Sequence, residues 1–213
     1  MAWQKWGTEM IKNIVLDVGK VLVAWQPKEL MEKLGLADET VSVLMEALFA
    51  TGIWNETDRG VLSDEAFLEL AYSKAPEYKQ EIQLFWNHVG KAIWQFPYVK
   101  KWIGAMKKAG YQVYILSNYG SWTFEQTKEE ALNFLEYVDG AIFSYQVKMI
   151  KPDAGIFQAL FDKYGLRAEE CVFLDDLAAN IEGARAVGMY GIVFTGLEEA
   201  LAELEKLGVH IEM

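Results

Sequence analysis

The sequence contains few of the residues that several common protein classes require. Cys171 is its single cysteine, so no disulfide can form within the chain, and we expect a structural thiol in a reducing environment. Two histidines, His88 and His210, leave little room for a histidine zinc site or a Ser-His-Asp triad. We expect both to be surface or packing residues.

Long apolar runs and basic patches are also missing. No stretch approaches the roughly 18 apolar residues of a membrane span, and the start MAWQKWGTEM lacks the apolar core of a signal peptide. The 213 residues include 20 basic and 31 acidic side chains, for a formal net charge of −11. Nucleic-acid binding needs clustered lysine and arginine, so we expect a cytoplasmic protein without a nucleic-acid or membrane partner. The oligomeric state stays open, and Trp3 and Trp6 could pack on the core or on a partner subunit.

What the sequence does contain is typical of a globular chain, with 52% hydrophobic and 24% charged residues. Short apolar runs predict buried strands at 14–16, 113–116, 172–174 and 192–194. Apolar spacing and terminal glycines predict helices at 97–109, 153–163 and 180–187. Strands that alternate with helices predict an α/β fold with a parallel, Rossmann-like sheet.

Residues 27–96 interrupt this alternation. Four helices are predicted there, at about 28–33, 39–49, 64–74 and 77–89, with Ser63 as an N-cap. A strand-free block placed directly after the first strand predicts a helical cap over the carboxyl edge of the sheet. The expected organisation is an α/β core of residues 1–26 and 97–213 with a cap of residues 27–96. For Trp54, Trp86 and Trp94 we favour the core of the helical bundle over a ligand platform.

Polar residues follow the ends of the predicted elements. They are Asp17 with Gly19, Ser117 with Asn118, Lys151, and Asp175 with Asp176. Each alone has an ordinary explanation as a turn, cap or surface residue. Because the carboxyl ends of parallel strands share one edge, three carboxylates, a lysine and a hydroxyl are expected to converge there. Together they predict a magnesium-assisted phosphoryl site.

The same segments resemble the four motifs of the haloacid dehalogenase superfamily of phosphohydrolases. They read IVLDVGKVLV, VYILSNYG, MIKPDAGIF and CVFLDDLAANIEGARAVGM, and the resemblance runs from about residue 13 to residue 194. Two features, the DVG form of the first motif and the segment WNETDRGVLSDEAF, resemble one branch of the family. That branch has small helical caps and includes bacterial glucose-1-phosphatase-like enzymes. The resemblance implies a Mg²⁺-dependent phosphatase of a small phosphorylated metabolite, with sugar phosphates among the candidates.

The resemblance also implies roles for the acidic residues. Asp17 would attack phosphorus and form an aspartyl-phosphate that water hydrolyses. Mg²⁺ would be held by Asp17, the carbonyl of Gly19 and the acidic pair. Of the pair, Asp176 is favoured as the direct ligand, and Asp175 would bind the ion either directly or through a water molecule.

The remaining motif residues would act on the phosphoryl group. Ser117 and the backbone N–H of Asn118 would hold its oxygens, and Lys151 would neutralise charge on both nucleophile and phosphoryl group. Asn180 has two interpretations, either orienting the acidic pair or the lysine, or capping a helix.

Two positions depart from the family pattern. Gly19 stands where many members carry an acid that protonates the leaving group. Such general acid catalysis raises the reaction rate by about 10²- to 10⁴-fold. Three interpretations follow: a good leaving group such as an anomeric phosphate, a proton from a cap residue or water, or slow catalysis. Lys20 stands where a small or amide residue is usual, and it either adds a cation beside the phosphate or points outward.

In the cap, the candidates for facing the substrate are Trp54, Asp58 and Arg59. Arg59 could fork onto a second anionic or hydroxyl-rich group, and Asp58 is the best replacement acid. The alternative is a salt-bridged turn ahead of Ser63.

Other functions remain open at this point. In a 2-haloacid dehalogenase the same carboxylate attacks carbon without metal, but an aromatic residue is typical where Gly19 stands. A non-catalytic phosphate-binding or regulatory protein would keep the pocket without turnover. A phosphotransferase that makes sugar bisphosphates is disfavoured, since that chemistry depends on the acid that Gly19 replaces.

Overall fold

The computed structural model describes residues 10–213, so Trp3 and Trp6 lie outside the described part of the chain. The strands are β1 (Asn13–Leu16), β2 (Val23–Trp25), β3 (Ile93–Gln95), β4 (Gln112–Ser117), β5 (Gly140–Phe143), β6 (Cys171–Asp175) and β7 (Tyr190–Val193). The helices are α1 (Pro27–Lys33), α2 (Asp38–Met45), α3 (Ile53–Arg59), α4 (Asp64–Lys74), α5 (Lys79–His88), α6 (Val99–Lys108), α7 (Ser121–Thr127), α8 (Ser144–Val147), α9 (Ala154–Tyr164), α10 (Ala178–Ala186) and α11 (Leu197–Lys206). None of the helices within residues 10–213 is long and apolar enough to cross a membrane.

The main sheet has five parallel strands in the order β5-β4-β1-β6-β7. All four residues of the central strand β1 are buried. Ile14 and Leu16 belong to one hydrophobic cluster and Val15 to another, so β1 is covered on both faces. A strand buried on both faces requires a continuous apolar run, which is what the sequence has there.

The strand order explains where the site forms. From β1 the chain returns to one side as β4 and to the other side as β6, which makes the carboxyl end of β1 a topological switch point. In open α/β sheets the crevice for ligands lies at such a point. Asp17 follows β1 directly, and its backbone N–H donates to the carbonyl of Leu174 on β6 at 2.9 Å.

The predicted α/β class is confirmed, and the four predicted strands correspond to β1, β4, β6 and β7. Strand β5 was not predicted. It begins at Gly140, directly after Asp139, and only Ile142 and Phe143 of its four residues are buried. An Asp-Gly pair ahead of so short an apolar segment is typical of a turn.

Helices α1 to α5, the cap helices, lie between β2 and β3, in the segment for which the sequence predicts a helical cap. The expectation that residues 27–96 contain no strand is wrong, because β3 pairs antiparallel with β2. Both strands have three residues, which is too few for a periodic pattern to register. The resulting two-stranded ribbon leads into the cap helices and out of them.

Helix α3, which carries the predicted substrate candidates, replaces the turn considered as an alternative. It begins after Gly52 and ends at Gly60, both with positive φ, of +80° and +72°. A Cβ on Gly60 would lie 2.8 Å from the Cα of Tyr145, so glycine is required there. The N-cap prediction is confirmed, since the backbone N–H of Ala66 donates to the hydroxyl of Ser63 at 3.2 Å.

Aromatic rings fill the cap. The centroid of Trp54 lies 4.8 Å from that of Phe49, and the centroid of Trp86 lies 4.4 Å from that of Phe67. Trp54 and Trp86 are buried, which confirms their place in the bundle core. Trp94 is 42% exposed on the ribbon, so that expectation is wrong for this residue.

The scarce cysteine and histidines occupy structural or surface positions. Cys171 is buried on β6, and burial raises the pKa of its thiol to about 12, so it stays protonated and unreactive at neutral pH. His88 Nδ1 lies 2.9 Å from the carbonyl of Leu84 in the same helix, and His210 is exposed.

Candidate active site

Asp17 is a buried carboxylate at the carboxyl end of the central strand. Its Oδ1 lies 2.7 Å from Nζ of Lys151. The side chain of Ser117, at the end of β4, acts to lower the pKa of Asp17. Burial raises the pKa of Asp17 to about 6, against the opposing effect of Lys151. An acid with this pKa is largely ionised at neutral pH and is available as a nucleophile.

Lys151 is a buried cation shared by two carboxylates. Its Nζ lies 2.7 Å from Oδ1 of Asp17 and 2.6 Å from Oδ2 of Asp175, and 5.1 Å from the ring centroid of Phe173. Burial acts to lower the pKa of Lys151, but the two carboxylates outweigh it and hold the pKa above its ordinary value. The ammonium group therefore stays charged inside the protein.

Asn118 fixes the backbone of this lysine. Its side-chain nitrogen donates to the carbonyl of Lys151 at 3.1 Å, and the N–H of Lys151 donates to Oδ1 of Asn118 at 2.8 Å. The sequence assigned only the backbone N–H of Asn118 a role. The side chain ties the loop after β4 to the segment that carries the lysine.

Asp175 is enclosed by donors from its own motif. Asn180 Nδ2 lies 3.0 Å and 2.9 Å from its two oxygens, and the N–H of Leu177 donates to Oδ1 at 2.8 Å. Asn180 is buried in the first turn of α10, so its side chain orients Asp175 rather than capping the helix. Of the two interpretations from the sequence, the structure has the contact that the first one requires.

Three carboxylates gather at this edge of the sheet. Asp17, Asp175 and Asp176 each offer an oxygen, and these atoms lie within 4.8 Å of one another. Asp176 is partly exposed, and its Oδ2 lies 3.2 Å from Nζ of Lys20. Hard oxygen donors in excess of the neighbouring cations fit a divalent ion such as Mg²⁺. Asp176 is the most exposed of the three, since 18% of its side chain is accessible against 10% for Asp17 and 0% for Asp175.

A pocket of about 100 Å³ opens beside Asp17, between the sheet edge and the cap. It is lined by Asp17, Gly19, Val23, Trp25, Trp54, Asp58, Ile93, Asn118, Tyr119, Gly120 and Thr123. Of the cap candidates, Trp54 and Asp58 lie in this wall. Arg59 does not, because its guanidinium lies 3.3 Å from Asp153 Oδ2 and 3.6 Å from Glu56 Oε1.

Asp58 faces the pocket from α3. The backbone N–H of Gly120 acts to lower the pKa of this carboxyl group. Burial raises the pKa of Asp58 to about 7, and the charge of Asp17 adds to the effect of burial. The carboxyl group thus exchanges its proton near neutral pH.

Several residues that line the pocket were not predicted from the sequence. Tyr119 and Gly120 directly follow the Ser-Asn pair, so their place in the loop after β4 was a usable signal. Val23, Trp25 and Ile93 come from the short ribbon, and Thr123 from α7, for which no pattern predicted a site.

A buried carboxylate, a buried lysine and an acidic cluster at the switch point of a parallel sheet form a site of the kind found in enzymes with α/β folds. A family model of haloacid dehalogenase-like hydrolases matches residues 11–188, so the chain belongs to that family. The resemblance drawn from the four motifs is therefore confirmed.

Relatives support the same family. D-Ribitol-5-phosphate phosphatase of Bacteroides thetaiotaomicron is 30% identical over 193 residues, covering 84% of this chain and 89% of that protein. Bifunctional epoxide hydrolase 2 of Mus musculus is 36% identical over 108 residues, covering 48% of this chain. The match spans 19% of the length of that longer protein.

Solved structures share the fold. A HAD family enzyme from Bacteroides thetaiotaomicron, solved in complex with magnesium and inorganic phosphate, has a TM-score of 0.66 and 22% identity. The match covers 85% of this chain and 93% of that chain.

Proposed function

We propose that the protein is a Mg²⁺-dependent phosphatase that hydrolyses a small phosphorylated metabolite through an aspartyl-phosphate on Asp17. The observation that carries this proposal is the ion pair of 2.7 Å between Asp17 and the buried Lys151, beside a cluster of three carboxylates. A permanently charged lysine lowers the repulsion between an anionic nucleophile and an anionic phosphoryl group.

Each residue of the site has its own role in the proposed reaction. Asp17 attacks phosphorus, and Ser117 and the N–H of Asn118 donate to phosphoryl oxygens. Lys151 holds Asp17 in place and offsets developing charge. Mg²⁺ would be held by Asp17, Asp176 and the carbonyl of Gly19, with Asp175 positioned behind them, and it would supply positive charge to the phosphoryl oxygens.

The comparisons support this choice of reaction. A relative over most of the chain is a D-ribitol-5-phosphate phosphatase, and a structure of the same fold binds magnesium and inorganic phosphate. The pocket of about 100 Å³ suits a small ester, and sugar phosphates are the first candidates. The cap of residues 27–96 would close over the site, and a cytoplasmic location is part of the same proposal.

The test is phosphate release from p-nitrophenyl phosphate and from a panel of sugar phosphates, with Mg²⁺ and with chelator. We expect turnover that chelator abolishes and that Asp17→Asn removes. Asp162→Asn makes the same chemical change at an exposed position of α9 and should leave turnover intact. Full activity in Asp17→Asn would overturn the proposal.

The same assay separates the other functions. Halide release from a 2-haloacid in chelator would favour a dehalogenase. Tight binding of inorganic phosphate without turnover of any substrate would favour a phosphate-binding protein.

A further inference from the structure

We propose that Asp58 of the cap is the proton donor and acceptor that the site lacks at Gly19. This inference rests on the proposed phosphatase activity and adds a catalytic residue to it. Hydrolysis of an ester with a poor leaving group needs an acid beside the departing oxygen, and Gly19 has no side chain to provide one.

Position is the first support. Asp58 and Gly19 line the same pocket as Asp17, and Asp58 comes from the cap while the other two come from the sheet edge. A phosphomonoester bound at Asp17 would place its leaving group in this pocket, since the pocket is the space between nucleophile and cap. The carboxyl group of Asp58 therefore faces the region where the proton is needed.

The second support is that Asp58 is held in place by the core. The hydroxyl of Ser144, a fully buried residue, donates to the carbonyl of Asp58 and accepts from the N–H of Tyr119 at 2.8 Å. A Cβ on Gly120 would lie 3.1 Å from Thr57 Cγ2 and 3.5 Å from Asp58 Oδ1, so the loop approaches α3 closely. These contacts fix the backbone of Asp58, and a positioned acid beside the reacting bond is what proton transfer requires.

The third support comes from the other pocket residues. The side chain of Asn118 is hydrogen-bonded to the backbone of Lys151. Burial raises the pKa of Tyr119 far above neutral, and its hydroxyl pairs with Thr127. Apart from Asp17, Asp58 is the one pocket-lining residue within residues 10–213 whose side chain exchanges a proton near neutral pH.

The proposed step conserves atoms and charge. As an oxygen of Asp17 bonds to phosphorus and the bond to the ester oxygen breaks, neutral Asp58 gives its proton to that oxygen, and the alcohol leaves. Ionised Asp58 then takes a proton from water as the water oxygen attacks phosphorus. The bond from phosphorus to Asp17 breaks, inorganic phosphate leaves, and both carboxyl groups return to their starting states.

The test compares two leaving groups in the full chain with Mg²⁺. p-Nitrophenol leaves as a stable anion, whereas glycerol from glycerol phosphate must be protonated. We expect Asp58→Asn to lower kcat for glycerol phosphate by about 10²-fold or more. With p-nitrophenyl phosphate, the rate at which the aspartyl-phosphate forms should fall by less than about tenfold. Asp38→Asn, at an exposed position in the cap helix α2, is the matched control and should change neither rate.

A second variant guards against a merely structural effect. A Cβ on Gly19 meets no atom within 4 Å, and the backbone there is not in the left-handed region, so Gly19→Asp is sterically allowed. We expect Gly19→Asp to restore much of the lost turnover of glycerol phosphate in the Asp58→Asn background.

Equal losses for both substrates, with no recovery in the double variant, would overturn the role of Asp58 and leave the phosphatase proposal standing. Retention of all activity by Asp17→Asn would instead remove the phosphatase proposal itself.

Discussion

The side-chain nitrogen of Asn180 lies 3.0 Å and 2.9 Å from the two carboxylate oxygens of Asp175. Lys151 and the N–H of Leu177 occupy the same two oxygens, at 2.6 Å and 2.8 Å. Asp176, the next residue, projects to the edge of the site and contacts Lys20. Two adjacent carboxylates thus have different surroundings, since Asp175 is fully buried and Asp176 is partly exposed.

This difference predicts different effects of the same substitution. Asp175→Asn should lower the free energy of unfolding by about 3 kcal/mol, since the buried Lys151 loses one of two partners. Asp176→Asn should change it by less than about 0.5 kcal/mol, but raise the Mg²⁺ concentration for half-maximal activity at least about tenfold. Urea unfolding and Mg²⁺ titrations of both variants measure the two effects. Identical profiles for the two variants would contradict the division of roles.

Lys20 is expected to compete with the metal. Its Nζ lies 3.2 Å from Asp176 Oδ2, with the lysine side chain 58% exposed. An exposed pair is worth about 0.2–1 kcal/mol, so Lys20→Asn should lower the Mg²⁺ concentration for half-maximal activity by up to about fivefold. Asparagine suits the left-handed φ of 58° at this position. A raised KM with unchanged Mg²⁺ dependence would instead indicate that Lys20 binds the substrate phosphate.

The sheet and its acidic edge could be predicted because each depends on local pattern. The run Ile14 to Leu16 is apolar because β1 is covered on both faces, and the polar residue after such a strand reaches the shared edge. The family match covers the same segments. Asp17, Lys151 and Asp175 were therefore expected at one place, and they meet there.

The pocket wall could not be predicted, because it depends on contacts between distant segments. Trp25 and Ile93 come together only through the pairing of two three-residue strands, and Gly120 approaches Asp58 only because α3 packs against the loop after β4. Arg59 shows the same limit. Its sequence position suited a substrate contact, but its guanidinium donates a hydrogen bond to the carboxylate of Asp153, 94 residues away.

The pH dependence should differ between the two kinds of substrate. Asp58 must be neutral to protonate a poor leaving group, and burial together with the charge of Asp17 raises its pKa to about 7, against the N–H of Gly120 and the charge of Lys151. For glycerol phosphate, kcat/KM should therefore fall above about pH 7, approaching tenfold per pH unit. For p-nitrophenyl phosphate, no such fall is expected between pH 7 and pH 8.5. Parallel profiles for both substrates would count against Asp58 as the acid.

Asp58 should also make the fold less stable at neutral pH than an uncharged residue would. Its pKa rises from 3.8 in the unfolded chain to about 7 in the fold, so between these values the unfolded chain releases a proton that the fold retains. The free energy of unfolding therefore falls as pH rises through this window, by at most about 4 kcal/mol, and the loss stays constant above it. Asp58→Asn removes this loss. With chelator present, the Tm of the Asp58→Asn variant should be higher than that of the unchanged protein above pH 7. The difference between the two Tm values should disappear toward pH 4. A Tm below the parent's at every pH would mean that the carboxylate stabilises the loop at Gly120 more than its burial destabilises the fold.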